Sequence, residues 1–271
     1  MKTHVKTLAV ACLATLAFAS CNKEVKEPDA QEEITEETLS LIKNAGFGTS
    51  AVQKHEDGYL VEGDIILTDE FLRSKAQYQV LRIGNEEQYH TTNLVSQNRT
   101  ITVAMDSKLG SNAGYRDALQ VMVDRYNAEN LTLKFQVVSS GANITFVNAG
   151  GNYLASAGFP SSNGNPYSQV KVNARAIGKG TSSTFVNYLA TILAHELGHC
   201  IGFRHTDYFD RSISCGGAKT NEGASTVGAI HIPGTPLAPN VDRSSWMLAC
   251  IGSGQNRPFS SYDKTALSYL Y

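Results

Sequence analysis

One stretch constrains this chain more than any other: His195-Glu196-Leu197-Gly198-His199-Cys200-Ile201-Gly202-Phe203-Arg204-His205. On a helix, His195 and His199 stand one turn apart on one face, so both imidazoles can meet a single ion. His205 cannot continue that face. Gly202 lets the chain turn, including through positive φ, and the reversed segment can return His205 as a third ligand. Three neutral nitrogens around zinc leave an open position for water, the arrangement of a catalytic site and not of a closed structural one. Glu196 adjoins the first ligand and is not itself expected to ligate. Its carboxylate can take a proton from the activated water as a carbonyl is attacked, then deliver it to the leaving amine.

Periodicity supplies the elements around this segment. Phe185 to Ile201 reads as the helix, after a Gly180–Thr184 stretch suited to a helix start, and Gly202 closes it. Upstream lie a strand at Thr100 to Met105 and a turn containing Gly110 and Gly114. An amphipathic helix from Tyr115 to Asn130 follows, with Ala118, Leu119, Met122, Val123 and Tyr126 at helical spacing. Leu131 to Val138, Asn143 to Asn148, Tyr153 to Ala157 and Tyr167 to Ala174 are short β-prone runs separated by turn residues. Beyond Gly202 glycine and proline dominate, until Ser260 and Asp263 form a capping box for a terminal helix. The expected class is α+β: a helix-and-sheet lobe, then a loop-rich lobe held by the last helix.

Residues 195–205 match the extended zinc signature of the metzincin metallopeptidases. Gly202-Phe203-Arg204-His205-Thr206-Asp207 resembles more particularly the bacterial M57 group, described as dual-action HEIGH metallopeptidases, with Leu197 where that name has isoleucine. The resemblance covers approximately residues 100–271. It implies a metzincin-like catalytic domain with a mixed twisted sheet, a zinc-binding helix and a loop-rich C-terminal lobe. It also implies one catalytic Zn2+ on His195, His199 and His205, with Glu196 as general base of a zinc endopeptidase. The protein or peptide substrate would lie extended along an edge strand, sought in 167–174. Met247, in Ser245-Trp246-Met247, is the expected methionine turn, an apolar floor under the histidines. Two positions later, where some metzincins carry a tyrosine, stands Ala249; Tyr208 and Tyr262 remain as substitutes, and the expectation is that no tyrosine acts. His231, near Pro233 and Pro236, is expected at the surface or near substrate. The alternative function is a catalytically inactive zinc-containing binding or adhesion lipoprotein of the same fold; Glu196 argues against it, because ligation alone does not require that residue.

The start of the chain reads as an address. Lys2 and Lys6 precede an apolar run from Leu8 to Ala19, the pattern of a secretory signal peptide over residues 1–20. Ala19 and Ser20 before Cys21 resemble the lipobox of bacterial lipoproteins, with Phe18 where leucine is commoner. That resemblance implies a lipid anchor on Cys21 and an outer-membrane location. The charged run from Asn22 to Glu37 looks like a tether and resembles the export signal of surface-exposed lipoproteins. A short helix is expected from Glu33 to Ala45, strand material from Tyr59 to Leu67 around Gly63, and another helical turn or two from Glu70 to Ala76. Residues 84–98 are polar and aperiodic, which places a boundary near Asn98 between a lipidated tether and latency segment (21–97) and the peptidase domain (98–271). Within the first of these, Val61-Glu62-Gly63-Asp64-Ile65 resembles the Gly-Asp motif in the propeptides of astacin-like metzincins, where an aspartate takes the metal position of the catalytic water. Asp64 is therefore a candidate latency ligand.

Charge and cysteines exclude other classes. There are 23 basic and 25 acidic residues, and removing residues 1–20 takes two lysines and no acid, leaving a formal charge of −4. No basic stripe interleaved with aromatics recommends a nucleic-acid partner. No glycine-rich phosphate loop follows a suitable strand. Beyond Cys12 and Cys21, the cysteines are Cys200, Cys215 and Cys250, and an extracytoplasmic location permits a disulfide among any two of them. Peptide preference and oligomeric state do not follow from the sequence.

Overall fold

The computed structural model describes residues 34–45, 47–74, 88–221, 229–237 and 240–271. The signal peptide, Cys21 and the first part of the tether lie outside the described residues. The N-terminal portion comprises helix α1 (Glu36–Asn44), strands β1 (Gln53–His55), β2 (Gly58–Val61) and β3 (Ile65–Leu67), and helix α2 (Asp69–Ser74). Thr35 caps α1, its hydroxyl accepting from Thr38 N at 3.2 Å. After β4 (Tyr89–His90) come β5 (Arg99–Met105), α3 (Ser107–Gly110), α4 (Ala113–Ala128), β6 (Leu133–Val137) and β7 (Ile144–Asn148). Next are β8 (Ala155–Gly158), β9 (Gln169–Val172), α5 (Ala174–Ile177) and the long α6 (Ser183–Ile201). The loop-rich remainder carries α7 (Ser212–Cys215), β10 (Ile230–His231) and α8 (Ser261–Leu270).

Eight strands form one mixed sheet in the order β1-β2-β3-β8-β9-β7-β5-β6. Strands β6, β5, β7 and β9 run parallel, β8 is antiparallel to β9, and β3 joins the free side of β8 in parallel register, Ile65 opposite Ala157. The mixed sheet, the long helix and the loop-rich lobe are as expected for the class. The edge strand is not where it was sought. Strand β9 lies inside the sheet, between β7 and β8; of the strands after residue 98, β6 and β8 stand outermost, and β8 is the one that β3 covers. Its sequence Ala-Ser-Ala-Gly carries little β-propensity, and all four residues are buried.

Helices α4 and α6 cover the sheet. Tyr115, Ala118, Leu119, Met122, Val123 and Tyr126 of α4 meet Leu189, Leu193 and Leu197 of α6 and the strand residues Ile101, Phe135, Ile144 and Phe146 in one core. From Tyr188 to Ile201 every residue of α6 is buried, because sheet and C-terminal loops enclose it from opposite sides. A second, smaller core gathers Ile42, Phe47, Val61, Ile65, Leu67, Phe71 and Leu72 of the N-terminal portion around Phe159, which follows β8. Phe47 and Phe71 lie 5.7 and 5.9 Å from the Phe159 ring.

Residues 88–98, polar and aperiodic, are tied into the C-terminal lobe by the short antiparallel pairing of β4 with β10 and by single bonds on either side of it. Thr91 N donates to Gly202 O at 2.8 Å, Ile232 N to Gln88 O at 2.9 Å, and Gln97 Nε2 to Leu270 O at 2.8 Å. Asp263 gathers three parts of this lobe. Its Oδ1 accepts from Gln88 Nε2 at 2.6 Å, and its Oδ2 accepts from Trp246 N at 3.1 Å and from Ser260 N at 2.9 Å, completing the capping box of α8. Replacing Asp263 by alanine leaves these buried donors without a carboxylate and should cost about 3 kcal/mol of stability. Ser260→Ala, which removes only the cap hydroxyl, should cost about 1 kcal/mol. Chemical denaturation of both variants checks that order.

Candidate metal centre

The geometry of α6 delivers the first two histidines. His195 and His199 sit one turn apart with ring centroids 4.7 Å from each other. Gly202 ends the helix with φ +114°, a left-handed conformation that favours glycine, and its N–H donates to Gly198 O and His199 O. Phe203 then bridges to His90, Arg204 N donates to Tyr89 O at 2.8 Å, and the reversed chain brings the His205 ring to 5.3 Å from His195 and 5.0 Å from His199.

The fourth member comes from the N-terminal portion. Between β2 and β3 the backbone turns through Glu62 (φ +54°) and Gly63 (φ +93°) and presents Asp64. Asp64 Oδ1 lies 3.2 Å from His205 Nε2, and Oδ2 lies 3.6 Å from His195 Nε2. One donor atom from each of Asp64, His195, His199 and His205 falls within a 4.8 Å span. The structure thus brings together all three sequence-derived histidines and the candidate latency ligand.

These residues fit a divalent cation. His195 Nδ1 donates to Trp246 O at 2.9 Å and His199 Nδ1 to Phe203 O at 2.8 Å; a carbonyl only accepts, so both protons sit on Nδ1. With each Nδ1 engaged by a carbonyl, the two Nε2 atoms face each other at 3.1 Å, beside a carboxylate. Such a buried gathering of acceptors calls for a positive ion at its centre. Burial and the neighbouring histidines lower the His199 pKa, keeping that imidazole neutral. Burial alone would raise the Asp64 pKa, but His205, His195 and His199 hold it well below the usual carboxylate value. Glu196 is only 2% exposed, and burial followed by the Asp64 charge pushes its pKa well up, against the opposing effect of His205.

The floor is Met247. A Cβ built on Gly198 would stand 2.6 Å from the Met247 sulfur, so the thioether occupies the space a side chain between the two helical histidines would need. Trp246 donates its indole N–H to Ala194 O at 3.2 Å, and Thr206 N donates to Met247 O at 2.8 Å, which ties this turn to α6 and to the residue after His205. Ala249 donates its N–H to Asp207 at 2.9 Å. Tyr208 is buried with its ring 4.3 Å from Tyr89, and Tyr262 is exposed; neither lines the cavity at His195 and Glu196. His231 is half-buried, hydrogen bonds Thr235 at 3.0 Å and stands outside the cluster. Of the three cysteine pairings, Cys215–Cys250 forms, and Cys200 is a buried free thiol.

Sequence reasoning missed what holds Asp64 in place. Glu62 and Arg204 form a buried ion pair with Arg204 Nη2 2.7 and 2.9 Å from the two carboxylate oxygens, and the guanidinium lies 4.1 Å above the Phe47 ring. Arg211 donates to the Glu62 carbonyl, and Ala157 N of β8 donates to Asp64 O at 3.0 Å. Arg204 stands inside the histidine motif, but an arginine beside a ligand carries no signal of a partner 142 residues away. A second group of potential ligands, His55, Glu56 and Asp57 at the β1–β2 turn, is answered by the ammonium of Lys171, which pairs with both carboxylates.

A family model described as dual-action HEIGH metallo-peptidase matches residues 59–271, beginning well before residue 100 and taking in the Glu62–Asp64 turn. Among solved structures, myroilysin is similar with a TM-score of 0.44 and 15% identity, over 66% of this chain and 96% of that one. High choriolytic enzyme 1, a hatching-enzyme zinc protease from Oryzias latipes (medaka fish), gives a TM-score of 0.31 and 14% identity, over 61% of this chain and 86% of that one. No curated protein matches the chain by sequence. The donor set sets a stoichiometry: metal analysis of the purified chain should return one equivalent of zinc. His199→Ala should lose most of that metal and lower the melting temperature, whereas His231→Ala should change neither.

Proposed function

The chain belongs to the dual-action HEIGH metallo-peptidase family, and from that premise we propose a zinc endopeptidase held latent by its own N-terminal segment. The observation that carries this is the Asp64 carboxylate set among His195, His199 and His205. His195, His199 and His205 would hold the ion, the first two oriented by the carbonyls of Trp246 and Phe203. When bound, zinc supplies Lewis acidity that lowers the pKa of a water and polarises a carbonyl. Glu196, adjoining the first histidine and lining the same cavity as His195, takes the proton of the attacking water and returns it to the leaving amine. Met247 and Trp246 hold the helix from below and keep the imidazoles in register.

Two contacts obstruct turnover in the intact chain. Asp64, beside the three histidines, would take the place of the water, and β3 covers the edge of β8 along which an extended substrate backbone could pair. Cleavage near Asn98 would free both. The address segment supports export and a lipid anchor on Cys21 at the outer membrane, possible to check by incorporation of labelled fatty acid into the full chain and its loss in Cys21→Ala.

Glu196→Ala should keep one equivalent of zinc and the wild-type fold while activity on a peptide library, after release of the N-terminal segment, falls by about 10²–10⁴-fold. Equal cleavage rates for variant and wild type would assign the base elsewhere. Asp64→Asn keeps the shape but weakens anionic ligation. It should raise the activity of the intact chain and leave the cleaved form unchanged.

A further inference from the structure

A cavity of about 240 Å³ opens beside the cluster, with Asp64, His195 and Glu196 on one wall. Leu154, Ile192 and Ile251 make it largely apolar, yet two guanidinium groups, Arg211 and Arg257, line it as well. Arg257 is half-buried, and burial pulls its pKa down while the more distant Asp207 opposes. Its guanidinium donates to Cys250 O at 2.8 Å and to Gln255 Oε1 at 3.4 Å, and no carboxylate of the described residues lies within 4.0 Å. Asp207 is committed elsewhere, accepting from Ala249 N at 2.9 Å and from Ser214 Oγ at 2.5 Å. Arg211 is engaged by the latency turn itself, through the Glu62 carbonyl.

Departure of the Glu62–Asp64 turn changes the charge of this cavity. Asp64 takes its carboxylate away and Arg211 loses that carbonyl while keeping its contacts to Cys215 and Cys250, so the cavity that holds Glu196 and His195 is left with two lining guanidiniums and one acid fewer. We propose that Arg257, with Arg211 beside it, selects an acidic side chain, Asp or Glu, on the substrate residue flanking the scissile bond. The inference rests on the peptidase function proposed above. A guanidinium fork matches a carboxylate in a bidentate manner, and apolar walls strengthen the attraction by excluding water. A neutral side chain would fill the cavity and leave Arg257 desolvated without an anion. A basic one would meet like charge.

The full chain, activated by limited proteolysis between Lys75 and Asn98 and freed of the released segment, is incubated with a mixed peptide library, and cleavage sites are read by mass spectrometry. Asp and Glu should be enriched at one flanking position by at least about fivefold over their library frequency. Arg257→Gln should lose that enrichment while still cleaving peptides with a neutral residue there, and Arg257→Glu should turn the preference toward Lys and Arg. Wild-type cleavage without acidic enrichment, or enrichment that survives in a folded Arg257→Gln, overturns the assignment and leaves the peptidase function standing. No cleavage of any peptide overturns both. The wild-type profile decides the matter even where a variant does not fold.

Discussion

Two buried imidazole lone pairs facing each other at 3.1 Å, with a carboxylate alongside, are unfavourable in a low-dielectric interior unless a cation joins them. The rest of the molecule is arranged around that constraint. Helix α6 supplies two nitrogens at fixed spacing, and the left-handed Gly202 returns a third. The Ser245–Met247 turn accepts a hydrogen bond from one imidazole and fills the hollow at Gly198. Asp263 in turn fixes that turn to the last helix and to residue 88. Metal binding and folding are linked in such a layout, because the donors meet only when lobe, turn and helix are in place.

The N-terminal portion behaves as a complement to the charges it covers. Glu56 and Asp57 meet Lys171, Glu62 meets Arg204, and Asp64 meets the histidines. The Glu62–Arg204 pair is fully desolvated, so removing one partner alone would cost about 3–5 kcal/mol, whereas the pair as a whole need add little net stability. Its value is positional. It sets the turn whose next two residues are Gly63 and Asp64, and the smaller aromatic core around Phe159 adds the apolar burial that keeps the segment docked. In the proposed latent form these pairs would keep the segment docked while the chain is intact.

Much of this was legible because the relevant signals are local. The helix from Ser183 to Ile201 and its stop at Gly202 follow from apolar content and a glycine; the capping box at Ser260 and Asp263 is a four-residue pattern. The three gathered histidines are similarly compact in sequence, spread over positions 195–205. Asp64 was reachable only through a likeness to propeptide motifs, since Gly-Asp is also ordinary turn chemistry. Three features were out of reach. Strand β8 is too poor in β-branched residues to announce itself as the outer strand, so the choice fell on the richer run at 167–174. The 88–98 segment shows no period, and its one regular pairing, β4 with β10, is two residues long and reaches a strand about 140 positions later. The pairing of Cys215 with Cys250, like that of Glu62 with Arg204, depends on the folded path between distant positions and not on spacing.

The most direct measurement is an anomalous electron-density map at the zinc absorption edge on crystals of the intact chain. The expected density is a single ion bound by Nε2 of His195, His199 and His205, with an Asp64 carboxylate oxygen completing the coordination. An ion held by the three histidines and a water, with the Asp64 side chain turned away, would contradict latency through this residue. An edge signal placed elsewhere in the chain would contradict the metal centre itself.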